Sequence, residues 1–227
     1  MEISLLLKTM HGFGEELREL RNSTEDEGKK DKVCKLESKF SEFSTKVFEI
    51  LTNLNNKLER LEHRYDDIEQ YSRRNCLLLH GVPEAASEDP VNLVLTVFKN
   101  KLNVNISLME VDRAHRLGPK REKQDRPRPI IIKFARYLSR HKVFSEKKQL
   151  KGTKIMLTES LTKARLAVFK EAQTLFSAKT TWTVDGKICV LHQDKKHYLT
   201  SSCELQMLYN EVSSEPEKRI TRKTQKK

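Results

Sequence analysis

The sequence has few of the residues that interrupt helices and few of those that cross-link small folds. Its 227 residues include 7 glycines, 6 prolines and 4 cysteines, while 33% of residues are charged. This balance excludes collagen, low-complexity repeats and a purely β sandwich, and it favours long solvated helices beside a modest core. No apolar run approaches the roughly 18 residues of a membrane span. The longest run near the start, Leu5-Leu6-Leu7, also lacks the flanks of a signal peptide, so we expect a soluble intracellular protein.

Side-chain patterns for metal binding and catalysis are also missing. The four cysteines contain no C-x-x-C pair, which favours reduced thiols over zinc ligation or a disulfide framework; they are Cys34, Cys76, Cys189 and Cys203. His192 and His197 are five residues apart, but nothing completes a ligand set. The sequence has no phosphate-binding glycine loop and no nucleophile–base pattern. Asp66-Asp67 belong to a helix, and the other carboxylates are scattered. We therefore expect no enzyme, no cofactor, no metal, no small-molecule substrate and no membrane partner.

Charge is divided unevenly along the chain. Residues 1–71 hold 12 basic and 16 acidic residues, a balance of −4, whereas residues 72–227 hold 32 and 16, a balance of +16. The net charge of +12 therefore comes entirely from the second part. Such asymmetry indicates a polyanionic partner for the basic part, although a solvated lysine-rich face would give a similar balance.

The acidic part carries a coiled-coil pattern between residues 33 and 72. Apolar residues recur at alternating steps of three and four, as coiled-coil core positions do. The core positions are Val33, Leu36, Phe40, Phe43, Val47, Ile50, Leu54, Leu58, Leu61, Tyr65 and Ile68. The step from Leu54 to Leu58 is four where three is due, a stutter that locally unwinds a supercoil without ending it. We call this row of residues the seam.

The seam predicts self-association, with a single amphipathic helix on a globular core as the alternative. Phenylalanines in the seam favour more than two strands. The segment from Arg64 to Glu69 resembles the Arg-h-x-x-h-Glu pattern of trimeric coiled coils, with Tyr65 and Ile68 as its apolar pair. We therefore predict a trimer ahead of a dimer. Residues 1–32 are predicted to be a short helical and polar segment, in which Asn22–Lys32 interrupt the helix.

The basic part predicts two small α/β units. Residues 73–158 show a strand at Asn75–Val82 and a helix after Pro90. Further strands are expected around Leu108–Leu117, Ile130–Phe134 and Lys154–Thr158, with a second helix lined by Leu138, Val143 and Leu150. The order βαββαβ is that of the ferredoxin-like fold of RNA-recognition domains. The expected class is thus α+β: a long N-terminal coiled-coil helix, this domain, and a small α/β C-terminal domain.

The C-terminal domain is predicted over residues 159–212. A helix is expected to open at Glu159-Ser160, and Asp185-Gly186 between two β-forming runs predicts a hairpin. A last helix is expected at Ser202–Val212. The tail, residues 213–227, is basic and lacks apolar content, so we expect it to be disordered.

These segments resemble the first open reading frame protein of LINE-1 type retrotransposons. The resemblance lies in a coiled coil that runs into Ile68–Asn75 and Leu77–Glu84, and in the segments Pro129–Phe134, Leu150–Gly152 and Leu157–Leu161. It covers about residues 33–212. It implies a trimeric, single-strand RNA-binding nucleic-acid chaperone that packages its transcript into ribonucleoprotein particles for RNA-mediated transposition. Single-stranded DNA is a further ligand, and the particles are expected in the cytoplasm, with the nucleus as a second location.

The resemblance also implies which cations bind RNA. The family's binding arginines fall in regions that hold Arg73, Arg74, Arg113, Arg116, Arg128 and Lys133. Where the family tends to have an arginine in its fourth strand, this chain has Met156 with Lys154 nearby. In the C-terminal domain, a groove is expected to include Trp182, Lys187, Lys195, Lys196 and Tyr198, unless Trp182 belongs to the core.

Base stacking is poorly provided by the predicted first and third strands, which hold only Phe134 and His80 as candidate platforms. RNA binding is therefore expected to be electrostatic and weakly selective for sequence. The competing hypothesis is a coiled-coil scaffold whose α/β part binds a protein.

Overall fold

The computed structural model describes residues 12, 15, 27–85, 87–119 and 126–214, with side chains omitted for 27–34 and 37. The chain divides into two compact units, residues 1–64 and 65–227. Most of the predicted N-terminal segment, and residues 215–227 of the predicted disordered tail, lie outside the described residues. The predicted α+β class is confirmed, since a long helix is followed by antiparallel sheets and further helices.

The long helix, α1, spans Glu27–Ser72. The predicted interruption at Asn22–Lys32 is wrong from Glu27 onward, because the helix includes Gly28 and the charged residues after it. One glycine costs a helix only about 1 kcal/mol, and lysine and glutamate are good helix formers. The large seam residues from Leu54 to Ile68 are exposed in the single chain, with 41% to 71% of each residue accessible.

A four-stranded sheet and two helices follow α1. Apart from short turns, they are the first six elements after that helix. These are β1 (Cys76–His80), α2 (Pro90–Leu102), β2 (Val111–Arg116), β3 (Ile130–Phe134), α3 (Tyr137–Ser145) and β4 (Met156–Glu159). The strand order is β2-β3-β1-β4, and each neighbouring pair is antiparallel. The chain order is therefore βαββαβ, as predicted.

The inner face of this sheet forms the larger core. Alternate residues of β1 and β3 are fully buried, among them Leu77, Leu79 and Ile132, and the helices cover them. Helix α2 begins at Pro90, and the Asp89 side chain caps its first amide groups. The outer positions of the same strands hold Leu78 and His80 on β1 and Ile131 and Lys133 on β3.

Three stretches of this domain differ from the prediction. Leu108–Glu110 form a 3₁₀ turn before β2, closed by a reciprocal Ser107–Glu110 cap. A second 3₁₀ turn, Glu146–Leu150, follows the shortened helix α3, and Leu138 is exposed rather than buried. The β4 strand begins at Met156 because the Thr153 hydroxyl bonds the Leu150 carbonyl and the Ile155 amide, which holds the preceding residues in a turn. The predicted position of Lys154 in a strand is therefore wrong.

The C-terminal elements form a three-stranded sheet with two helices. They are α4 (Lys163–Phe176), β5 (Thr181–Val184), β6 (Lys187–His192), β7 (Lys195–Leu199) and α5 (Ser202–Ser214). The predicted Asp185-Gly186 hairpin is confirmed, and both residues have positive φ. Helix α4 begins later than predicted because Glu159 belongs to β4 and Thr162 caps the helix. The β7 strand is an addition that the sequence patterns do not predict.

Buried ion pairs fix these C-terminal elements against the end of α1. Arg165 of α4 is 4% exposed and donates to Asp66 at 2.7 Å, to Asp67 at 2.5 Å and to the Gly186 carbonyl at 2.9 Å. Gln70 accepts from the Thr162 amide at 3.0 Å and donates to the Ser160 carbonyl at 3.1 Å. These bonds hold the β5–β6 hairpin and the start of α4 against the last two turns of α1.

The described residues include neither a candidate membrane span nor a candidate metal site. None of the helices in the described ranges is long and apolar enough to cross a bilayer. The described side chains include no group of three histidine, cysteine or carboxylate ligands placed to hold a metal ion.

Candidate nucleic-acid interface

A cleft of about 440 Å³ lies where the end of α1, the start of α3 and the β5–β6 hairpin meet. Its lining combines two tyrosines, cationic groups and two carboxylates. The lining residues are Asp67, Gln70, Tyr71, Arg74, Tyr137, Arg165, Asp185, Lys187 and Thr200. The volume falls within the range of small-molecule and nucleotide sites.

Tyr71 and Arg74 form one wall of the cleft. Tyr71 lies in the last turn of α1, and Arg74 lies in the turn that follows the helix, where its backbone amide donates to the Tyr71 carbonyl at 3.2 Å. The Arg74 guanidinium lies 4.0 Å from the centroid of the Tyr71 ring, and both side chains are exposed. No carboxylate pairs with Arg74 among the described residues. An arginine stacked on an aromatic ring keeps its N–H donors free for phosphate.

The opposite wall is fixed by a polar network around Asp185. Its Oδ1 accepts from the Tyr137 hydroxyl at 2.6 Å and from Arg140 at 3.2 Å. Arg140 is buried and also pairs with the buried Glu159 of β4. The hydrogen bond to Asp185 and burial together raise the pKa of Tyr137. This wall is therefore held rigidly before any ligand binds.

Lys187 connects the cleft to the outer face of the three-stranded sheet. Cross-strand pairing sets Trp182, Cys189 and Tyr198 in one row on that face, and 53% of Tyr198 is exposed. Cys189 is buried, which raises the pKa of its thiol, and the positive charge of Lys196 partly opposes that rise. Trp182 is partly buried, so it is neither fully in the core nor fully free. Lys187, Lys195 and Lys196 are exposed and form no ion pair with any described residue.

Arg113 and Lys133 lie opposite each other on the outer face of the four-stranded sheet. Arg113 is exposed and forms no hydrogen bond or ion pair with the described residues, whereas Lys133 pairs with Asp112 at 2.8 Å. Both are at the β1 end that adjoins α1, because Lys133 pairs with Cys76. Burial raises the pKa of the Cys76 thiol, and the positive charges of Lys133 and Arg73 partly oppose that rise.

Three arginines predicted to bind RNA are instead engaged within the protein. The Arg116 side chain is 5% exposed and donates to Glu88 and to the carbonyls of Val82, Pro83 and Arg128. Every nitrogen of its guanidinium donates within the protein, so Arg116 would have to give up these bonds to bind phosphate.

Arg128 and Arg73 are also largely occupied. The Arg128 guanidinium donates to Glu84 at 2.8 Å and to the Gly118 carbonyl at 2.9 Å. Arg73 pairs with Glu69 at 2.6 Å while remaining partly exposed. These two side chains would have to give up a carboxylate partner to bind phosphate.

Lys154 lies apart from the cleft. It precedes β4 at the end of the sheet where His80 pairs with Met156, whereas the cleft adjoins the Cys76 end of β1. The structure therefore brings Arg74 and Lys187 together and leaves Lys154 outside their group.

The sequence interpretation missed Tyr71, Tyr137 and Asp185 as cleft residues. In the sequence, Tyr71 marks only the end of the seam-bearing helix, and Asp185 marks only a hairpin. Their proximity depends on the packing of α4 and the hairpin against α1, which no local pattern in the sequence encodes.

The Arg128–Glu84 pair gives a prediction on acid stability. Hydrogen bonds from Arg128 lower the pKa of Glu84 from 4.5 to about 2. A lowered pKa in the folded state contributes stability above pH 4.5 that is lost as pH falls from there towards 2. We expect Glu84→Gln to melt at a lower temperature near pH 6 and to depend less on pH between about 5 and 2. Thermal unfolding at a series of pH values checks this, and parallel curves for both proteins would contradict it.

The sequence matches no protein-family model and shows no significant similarity to a curated protein.

Proposed function

We propose that the protein is a homotrimeric single-stranded RNA-binding protein that grips phosphates around the cleft. The observation that carries the proposal is the grouping of unpaired cations with aromatic rings: Arg74 on Tyr71, and Lys187 next to the row of Trp182 and Tyr198. Proteins that bind single strands combine a cationic groove with aromatic platforms for the bases. Arg113 and Lys133 extend the cationic surface along the neighbouring sheet edge.

The βαββαβ order with strand order β2-β3-β1-β4 supports a ferredoxin-like, RNA-recognition type of domain. Its outer sheet face differs from the usual stacking surface, since Leu78 and Ile131 occupy the middle row. In this proposal the bases stack on the tyrosines of the cleft and on the C-terminal sheet instead.

The exposed seam supports self-association. On α1, Asp66 and Gln70 bond to the C-terminal elements, while Tyr65 and Ile68 remain 71% and 69% exposed. At about 100° per residue these two pairs fall on opposite faces of the helix. Docking of the C-terminal elements on the end of α1 therefore leaves Tyr65 and Ile68 accessible to other copies of the chain. Apolar residues on a regular stripe are the usual sign of a helix partner.

By its resemblance to LINE-1 type proteins, the proposed role is that of a nucleic-acid chaperone packaging retrotransposon RNA into cytoplasmic ribonucleoprotein particles. Three linked C-terminal units would hold one strand at several points, because later contacts form at high effective concentration. This arrangement suits coating of a long transcript. Single-stranded DNA offers the same phosphates and is a second expected ligand.

Replacing Arg74 and Lys187 with alanine tests the phosphate grip. We expect weaker binding of a ~30-nucleotide RNA, a length chosen to exceed the ~4–16 nucleotides covered by a small domain. The slope of log affinity against log salt should flatten by about 0.7 for each phosphate that the protein no longer neutralises. Fluorescence anisotropy at several salt concentrations measures both quantities, and RNAs of different composition should be affected alike.

Lys148→Ala with Lys151→Ala is the matched control. These lysines are exposed and lie in and just after the second 3₁₀ turn, outside the cleft. Removing them changes the net charge by the same amount, so affinity and slope should stay close to those of the parent. Equal effects of the two double variants would show that general charge, and not the cleft, binds RNA. Absence of parent binding to any RNA at low salt would reject the function and favour a protein-binding scaffold.

A further inference from the structure

The cleft contains two carboxylates that phosphate gripping does not explain. Asp67 and Asp185 line the same volume as Arg74 and Lys187. Asp67 pairs with Arg165 and Asp185 with Arg140, but the free oxygen of a carboxylate still disfavours phosphate and favours a hydrogen-bond donor. A ribonucleotide offers a carboxylate the N–H donors of its base and the hydroxyls of its ribose, and only the base donors differ from one base to another.

Asp185 has one oxygen available for such a donor. Its Oδ1 already accepts from Tyr137 and Arg140, whereas Oδ2 forms no hydrogen bond with any described residue, and the side chain is 58% exposed. A carboxylate oxygen accepts two hydrogen bonds, so Oδ1 is saturated and Oδ2 is open. The free acceptor therefore has a defined position.

The hairpin that carries Asp185 is held in place from behind. Gly186 has φ of +76°, and a Cβ there would lie 2.7 Å from the Gln70 side chain. The Gly186 carbonyl accepts from the buried Arg165. Because the turn packs this closely against α1, Asp185 cannot withdraw from the cleft without breaking that packing. A preorganised acceptor discriminates between ligands better than a mobile one.

We propose that the cleft receives one unstacked base and selects a base with an exocyclic amino group, such as cytosine, over uracil. The inference rests on the proposed function and names the specificity of the same site. The amino group of cytosine donates to Asp185 Oδ2, Tyr71 and Tyr137 flank the ring, and Arg74 and Lys187 hold the adjoining phosphates. Uracil has a carbonyl oxygen where cytosine has the amino group, so in the same pose two acceptors would face each other and repel. The N3–H donor of uracil lies one ring position away and would meet Oδ2 only if the base moved.

Ten-nucleotide cytidine and uridine oligomers provide the measurement, since the two bases differ in the donors and acceptors of their pairing edge. We expect the full-length protein to bind the cytidine oligomer about tenfold more tightly, the usual effect of one hydrogen bond to a charged group. Fluorescence anisotropy at one fixed salt concentration gives the ratio. Equal affinities for the two oligomers would overturn the inference while leaving the phosphate grip intact. If neither oligomer binds at low salt, the proposed function itself fails.

Asp185→Asn should abolish or reverse this ratio. Tyr137 and Arg140 both donate, so they hold the amide oxygen and leave the amide N–H₂ in the place of Oδ2. That N–H₂ donates to the uracil carbonyl and not to the cytosine amino group. Asp194→Asn is the matched control, because Asp194 is an exposed turn residue with φ of +62° outside the cleft. It should leave the ratio unchanged, and a ratio that survives Asp185→Asn would overturn the inference.

A modified ligand tests the same hydrogen bond without altering the protein. An oligomer of N4,N4-dimethylcytidine lacks the amino N–H donors but keeps a pyrimidine ring. The parent should bind it no more tightly than the uridine oligomer. This measurement stands even if Asp185→Asn unfolds the hairpin, which circular dichroism would reveal. Full affinity for the dimethylated oligomer would exclude the hydrogen bond to Asp185.

Discussion

Replacing Ile50 and Leu54 with aspartate is expected to convert a trimer into monomers. Both residues belong to the seam, and Leu54 is 41% exposed in the single chain. In a bundle, two carboxylates per chain would face their copies across a desolvated core, which costs several kcal/mol for each buried charge. Light scattering should show the molar mass falling threefold, to the 26.6 kDa of one chain.

The loss of assembly should also weaken RNA binding more than any substitution in the cleft. Linked sites can exceed the affinity of a single site by a factor of about 10² to 10⁴. We expect a drop in affinity of about 100-fold or more for a ~30-nucleotide RNA and no change in base preference, because each cleft stays intact. Thr52→Asp with Asn56→Asp adds the same charge on the opposite face of α1 and should leave the trimer in place. A seam variant that remained trimeric would refute the coiled-coil assignment.

The fold could be predicted from the sequence wherever local patterns dominate. The periodicity of the seam, the Asp-Gly turn and the apolar runs of β1 and β3 each reflect short-range rules, and the structure contains each element. The β7 strand escaped prediction because Lys195-Lys196 has weak β propensity. It forms because pairing with β6 supplies the hydrogen bonds that propensity does not, and because Leu199 packs in the core.

The candidate site could be predicted only in part. The resemblance implied an RNA-binding role for Arg74 and for Arg116 alike, and the sequence could not separate the two. The difference arises from tertiary structure: Glu88 and three carbonyls surround Arg116, whereas Arg74 lies over the Tyr71 ring and pairs with no carboxylate among the described residues. Burial and pairing, which decide whether a cation is available, depend on contacts between residues far apart in sequence.

Gly81 lies where the sequence predicts only a turn after the first strand. It follows β1 with φ of +80°, and a Cβ there would lie 1.9 Å from the Lys154 carbonyl oxygen. Real side chains do not approach a backbone atom this closely, so any larger residue must push β1 and the start of β4 apart. These two strands are paired at the edge of the larger sheet, from Leu77–Glu159 to His80–Met156. The absence of a side chain at Gly81 therefore allows the close approach of β1 to the start of β4.

We expect Gly81→Ala to destabilise the protein by about 2–5 kcal/mol, as the sum of a left-handed backbone cost and an overpacking cost. Gly152→Ala is the matched control, because Gly152 has a similar φ of +86° but no atom within 4 Å of the point where a Cβ would lie. It should incur only the backbone cost, about 1–2 kcal/mol. Urea unfolding followed by circular dichroism, at one protein concentration for all variants, measures the difference. Equal destabilisation at the two glycines would mean that β1 and β4 can move apart at little cost in free energy. The close approach at Gly81 would then not constrain the sheet.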